Sequence, residues 1–328
     1  MLQFIIKRVL ILIPLVLLFS VVCFIIIQLP PGDFLTTYID TLRSQGANIT
    51  PEIIKGLEAR YGLNESMVVQ YFKWLGRILQ GDLGYSFTWN RSVNSLIAER
   101  LGYTVILGLT SVLLIWVIAF PLGFYSATHQ YNLADYSFTT VSFLGLSIPE
   151  FLLALVIMWI YFIVTGKFGG GMYSDQFANQ PMSWAKIGDL LNHIWMPYLV
   201  IAITGTAGLF KTFRANLLDE LGKPYVVTAK AKGVPHIRLL LKYPGRIALI
   251  PFISTVGWML PGLISGQTII SIVMNLPTLG PLLIDSLKNQ DMFLAGSIVL
   301  ILGVLTMIGT MLSDILLAVT DPRTRHEL

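Results

Sequence analysis

About six long apolar runs organise the chain: Val9–Leu29, Val105–Tyr125, Val141–Val164, Ile194–Phe210, Ile247–Met274 and Phe293–Val319. Each approaches or exceeds the ~20 residues that carry a helix across ~30 Å of hydrocarbon. Lipid offers no partner to backbone N–H and C=O groups, so such segments must be helices or a closed barrel. These runs lack the polar/apolar alternation of a barrel strand and read as helices. The pattern therefore predicts an all-α polytopic membrane protein.

Between the first two runs lies a mixed segment, residues 30–102, expected to form an insert outside the membrane. Thr50-Pro51-Glu52 has the cap, first-turn proline and acid of a helix start, running toward Arg60 and closed by Gly62. A second helix is predicted over Ser66–Leu79, ended by Gly81. Gly169-Gly-Gly171 is expected to be a flexible turn. The resulting division is residues 1–29 for the N-terminus and first span, 30–102 for the insert, and 103–328 for the membrane core.

Charge orients this layout. Short cytoplasmic loops carry the Lys/Arg excess. Lys7 and Arg8 precede the first run, and Arg323 and Arg325 follow the last. Residues 211–246 hold Lys211, Arg214, Lys223, Lys230, Lys232, Arg238, Lys242 and Arg246 against Asp219 and Glu220. In residues 30–100 Arg43, Lys55, Arg60, Lys73, Arg77, Arg91 and Arg100 are matched by an equal number of acids. Both termini and the 211–246 loop are thus expected in the cytoplasm, and the insert outside. The net charge of +4 reflects this asymmetry, not nucleic-acid binding.

Composition agrees. Hydrophobic residues make up 55% of the 328-residue chain and charged residues 12%, against about 25% charged in soluble domains. The first run is too long for a signal-peptide core and lacks a small-residue cleavage pattern, so it is expected to stay as a helix. Cys23 is the single cysteine, which excludes a disulfide framework and a thiolate metal cluster. Asn48, Asn64 and Asn90 match glycosylation acceptors only by coincidence in a chain of bacterial character.

Candidate chemistry is sparse. Gly205-Thr-Ala-Gly208 lacks the Gly-Lys-Ser/Thr ending of a phosphate loop, and no carboxylate pair, Ser/His/Asp set or metal-ligand spacing stands out. An intramembrane enzyme would need such a set at one depth. An ion-coupled transporter or channel would need several intramembrane ionisable groups, and Glu150 stands nearly alone. Glu150 follows Pro149 inside the third run, where an ionised group is costly; contact with substrate, a place near the external mouth, or a bond to a neighbouring helix would each account for it. Asp314, nearer the cytoplasmic end of the last run, reads as a helix-to-helix contact or an interfacial residue. Pro251, Pro261 and Gly262-x-x-x-Gly266 interrupt the fifth run, which fits a kinked helix beside a path or simple close packing equally; its polar Ser265, Gln267, Thr268, Ser271 and Asn275 are the candidates for lining a path. The segment Tyr225–Gly233, polar and basic between two apolar runs, is where a membrane protein would take mechanical input from a soluble partner.

An ordered series of motifs then resembles one family almost from end to end. It comprises Pro31-Gly-Asp33, Tyr61-Gly-Leu63, Val69-Gln-Tyr-Phe-Lys-Trp-Leu75, Gly81-Asp-Leu-Gly-Tyr-Ser-Phe87, Ile97-Ala-Glu-Arg-Leu101, Ser147-Ile-Pro149, Tyr225–Gly233, Leu276-Pro277, Leu279-Gly280 and Asp321-Pro-Arg323. Together they resemble the permease subunits of bacterial ATP-binding-cassette importers of the dipeptide, oligopeptide and nickel family. The resemblance implies a type I importer fold in the cytoplasmic membrane. It implies a second homologous permease, two ATPases that carry ATP and Mg, and an extracytoplasmic binding protein, while this chain binds no cofactor. It places the coupling loop on Thr228, Ala229, Lys230, Ala231, Lys232 and Gly233, with Lys232 and Arg238 facing the ATPase. The pattern departs at Tyr243-Pro-Gly-Arg246, after the coupling glycine, and at Ser271, where peptide permeases tend to carry glutamate. Oligopeptide is the expected substrate and oligosaccharide the alternative.

Overall fold

The computed structural model describes residues 2–28, 65–86, 88–178, 180–254 and 267–320. The expected helix at 50–62, the proline and glycine pair at 261–266, Ser265 and the C-terminal Asp321-Pro-Arg323 lie outside these residues. Among the described residues four helices are long and apolar enough to cross a membrane: α1 (Leu2–Gln28), α3 (Val93–Thr128), α7 (Trp184–Leu221) and α12 (Met292–Thr320). Between them lie α2 (Met67–Leu79), α4 (Leu133–Ser147), α5 (Glu150–Thr165), α6 (Asp175–Ala178), α8 (Pro224–Ala231), α9 (His236–Lys242), α10 (Pro244–Ser254) and α11 (Leu279–Lys288). Residues 267–273 are also helical.

The third apolar run departs from the single straight span its hydropathy suggests. It is two helices, α4 and α5, bent by 104°. The residue before a proline is pushed out of the α region. Accordingly Ile148 sits at φ −91°, ψ 124° and Pro149 at φ −58°, ψ 136°, and two consecutive extended residues turn the chain. Counting this pair as one broken span raises the candidates to five. The fifth run falls partly outside the described residues.

The chain divides into two compact units. The first holds Met1–Lys7, Tyr103–Pro281 and Thr306–Leu328. Its centre is α7, the most buried of the four long helices. Alongside it α3 runs parallel, with the Thr110 hydroxyl on the Tyr198 hydroxyl and Ile115 seated against Gly205. A Cβ on Gly205 would run into Ile115 Cδ1, so a larger residue there would have to displace the Ile115 side chain. Running the other way, α4 and α5 pair Asp135 with Arg214, Gly145 with Ile203, Glu150 with Thr204 and Tyr161 with Trp195. At the far end the Gly171 amide donates to the Met274 carbonyl at 2.7 Å. The triglycine turn expected to be flexible is thereby anchored to the end of the fifth run.

The second unit holds Arg8–Gly102 and Leu282–Leu305. Here Phe24 of α1 meets Tyr71 and Trp74 of α2, each pair with ring centroids 5.6 Å apart. The expected helix is found over Met67–Leu79 with Ser66 as its N-cap residue. It closes with Gly81 at φ +83°, where the Gly81 amide reaches the Ile78 carbonyl and the Asp82 amide the Arg77 carbonyl, both at 2.9 Å. A two-stranded hairpin, β1 (Tyr85–Ser86) and β2 (Arg91–Ser92), was not anticipated in an all-α reading. Asn90 at φ +50° turns it, and the buried Ser86 hydroxyl holds it to Asp291 at 2.5 Å.

Candidate coupling site

The site begins where α7 ends. Glu220, nearly buried, accepts hydrogen bonds from Lys223 Nζ and from the Tyr225 hydroxyl. Burial, with the carboxylate beside it, pushes the Tyr225 phenol above its ordinary range. That group thus stays a neutral donor. Pro224 occupies the first helical turn of α8, where its missing N–H costs nothing. The last turn of α7 is in this way tied to the first turn of α8.

Inward-facing residues of α8 recur at helical spacing. Val226 and Ala229 pack on Leu239 of α9, with Tyr225, Val234 and Tyr243 around them. The helix closes by two crossed hydrogen bonds: the Gly233 amide donates to the Lys230 carbonyl at 3.0 Å and the Val234 amide to the Ala229 carbonyl at 3.3 Å. This is a Schellman motif, which needs a left-handed residue at its corner. Gly233 supplies it at φ +74°. Val234 folds back onto the same apolar cluster, and Pro235 then starts α9. The departure at Tyr243-Pro-Gly-Arg246 falls where α9 ends at Tyr243 (φ −104°, ψ −84°) and α10 starts at Pro244.

What remains is an exposed outer surface. Thr228, Lys230, Ala231, Lys232, Gly233 and Arg238 lie on it, together with Val227. Ala229, expected among them, is buried in the cluster beneath. The Thr228 hydroxyl donates to the Pro224 carbonyl at 2.9 Å. The surface is basic and partly apolar, and it rests on a short rigid helix.

A second layer, which the sequence reading did not find, braces α7 just before this point. Arg214 forms a bidentate ion pair with Asp135. Asp135 also accepts from the Ser126 hydroxyl and from the Tyr131 amide, while its own amide donates to the Asn132 side chain at 2.7 Å. The α3–α4 hairpin is thus clamped to α7. A signal existed: Asn132 three residues before Asp135 marks a helix N-terminus. Arg214, however, reads in sequence as one more member of the basic loop. Arg246 adds a tie from α10 to the end of α12, donating to the Thr320 carbonyl at 3.3 Å.

The path candidates are not gathered into one site. Glu150 opens the first turn of α5, half-buried, and accepts from the Thr204 hydroxyl at 3.3 Å. Gln267 and Ser271, one helical turn apart, are buried inside the chain. Gln267 Nε2 and Ser271 Oγ have no hydrogen-bond partner among the described residues. Thr268 packs against Gly280, and Asn275 is exposed at φ +52°. No cluster of three or more metal-ligating side chains occurs among the described residues.

Comparison with known proteins decides the class. Residues 119–326 match the family described as binding-protein-dependent transport system inner membrane component, and residues 1–108 match its N-terminal region. The chain belongs to this family. Among its relatives are the oligopeptide transport system permease protein AppB of Bacillus subtilis, 36% identical over 99% of this chain and all of that protein, and OppB of Haemophilus influenzae, 31% identical over 99% and 100%. OppB of Escherichia coli K12 is 28% identical over the same shares. As a member, this permease is a non-catalytic, multi-pass inner-membrane component of a transporter that works with a binding protein and ATPase partners.

Proposed function

We propose that this permease subunit carries oligopeptides into a bacterial cell, paired with a second homologous permease and driven by two ATPases that hold ATP and Mg. Its N- and C-termini and the 211–246 loop face the cytoplasm, in keeping with the basic residues gathered there. The ATPase grips the outer surface of α8, with Lys230, Lys232 and Arg238 on its acidic groups. An extracytoplasmic binding protein delivers the peptide at the opposite face.

The observation that carries this reading is the way α8 is fixed at both ends. Glu220 binds its first turn, the Gly233 corner closes its last, and the apolar cluster supports it from beneath. A push on α8 therefore moves α7, and through Arg214 and Asp135 it moves the α3–α4 hairpin as well. Rigid-body transmission of this kind requires discrete, stiff elements.

Peptide is favoured over oligosaccharide because the named relatives, matched along their full length, are oligopeptide transport system permease proteins. The serine at 271 does not weigh for sugar: its side chain is wholly buried within the chain. Glu150, at the α4–α5 break, is the acid available to a peptide amino terminus.

The test is ATP hydrolysis by the reconstituted complex with its binding protein, against a panel of peptides and sugar oligomers. Stimulation by peptides is expected. Stimulation by sugar oligomers alone would overturn the substrate assignment and leave the coupling assignment standing.

A further inference from the structure

In the second unit a groove of about 440 Å³ runs between the C-terminal end of α1 and α2. Val21 and Ile25 form one wall; Val68 and Phe72 form the other. The volume is that of a ligand pocket (roughly 300–1,000 Å³), and the walls are almost wholly apolar. The polar side chains at its edge are already engaged. Gln28 Nε2 donates to Gln70 Oε1 at 2.9 Å, and the Tyr71 hydroxyl bonds Ser20 Oγ at 2.8 Å.

We propose that this groove holds one acyl chain of a bilayer phospholipid, making α2 an interfacial helix laid on the membrane beside the first span. Three observations converge. The groove is continuous with an exposed apolar side of α1, where Leu10, Ile13, Leu18, Val22 and Ile25 stand on a helix long enough to span. Next, α2 presents Met67, Val68, Phe72 and Leu79 outward, each at least 64% exposed, while Gln70, Lys73 and Arg77 form another face. That division is the mark of a helix lying in the interface plane. Finally, among the described residues the groove's walls are almost wholly apolar and the Gln28–Gln70 and Tyr71–Ser20 pairs at its edge bond each other, so an extended peptide there would find few partners for its amides. A hydrocarbon chain has nothing to leave unpaired.

The experiment uses the full chain assembled with its second permease and ATPases in membranes doped with phosphatidylethanolamine bearing a diazirine in one acyl chain. After illumination, labelled peptides are mapped by mass spectrometry. Residues 67–72 are expected to label as strongly as the exposed Leu15–Leu18 surface of α1. Val68→Trp, which fills the groove, removes most of the 67–72 label and leaves the Leu15–Leu18 label unchanged. Should that variant fail to assemble, Val68→Ala widens the groove and raises the label. An unlabelled 67–72 segment, or a label indifferent to both substitutions, overturns the proposal. A label that appears only when the second permease is omitted assigns the groove to a protein neighbour and overturns it equally.

Discussion

Arg214 holds Asp135 by two hydrogen bonds of 2.8 Å, one from Nε to Oδ1 and one from Nη2 to Oδ2. The carboxylate is 3% exposed and the guanidinium 22%. Breaking a buried pair costs about 3–5 kcal/mol because it strands a charge, whereas replacing both partners with apolar groups is often neutral. The partial exposure of Arg214 puts this pair toward the lower figure. Asp135→Ala should therefore lower the melting temperature of the purified complex by more than the double variant Asp135→Ala with Arg214→Met. Equal losses in the two would mean that the pair does not clamp the hairpin.

Gly233 lends itself to a sharper comparison. A Cβ there would meet nothing within 4 Å, so any effect of substitution is conformational, not steric. Holding an ordinary residue in the left-handed region costs roughly 1–2 kcal/mol, and asparagine is tolerated there far better than a β-branched residue. Gly233→Val should sharply reduce peptide-stimulated ATP hydrolysis, while Gly233→Asn should keep most of it. If both variants kept wild-type stimulation, the corner would have no part in coupling.

These two positions also show what a sequence can reveal. Gly233 entered through the family resemblance, and its left-handed backbone is one that the residue type readily allows. The clamp was not legible, since it joins residues 79 positions apart through a packing that hydropathy does not encode. The long helices were found, but α7 extends from Trp184 to Leu221, well beyond its apolar run Ile194–Phe210. Its ends are amphipathic and fall below any hydropathy threshold. The break at Ile148–Pro149 was missed for the opposite reason. Both flanking helices are apolar, and only the backbone preference of a pre-proline residue marks the corner.

A pH dependence is expected at Asp291. Burial raises its carboxyl above the ordinary aspartate value of about 3.9, while Ser86 and the Leu294 amide donate to it. For a group whose pKa is raised on folding, the stabilising contribution is complete below the unfolded pKa and is lost as pH rises through the folded one. The wild type should therefore lose stability relative to Asp291→Asn as pH climbs through that window. Melting curves of the two complexes across mildly acidic pH would read it, and parallel curves would exclude a raised Asp291.

Glu150 carries the last prediction. An ionisable residue within a membrane-spanning run is a candidate functional group, since its retention has a cost. It stands in the first turn of α5. Thr204 approaches Oε1 at 3.3 Å, and Oε2 has no hydrogen-bond partner among the described residues. That oxygen can accept from an ammonium group, a hydrogen bond to a charged partner being worth roughly 1.5–3 kcal/mol. Glu150→Gln keeps the shape and the contact with Thr204 but removes the charge. It should reduce uptake of peptides with a free amino terminus by about ten-fold or more and leave N-acetylated peptides of the same sequence nearly unaffected. A purely structural Glu150 would reduce both alike, because a weakened α5 does not distinguish one peptide terminus from another.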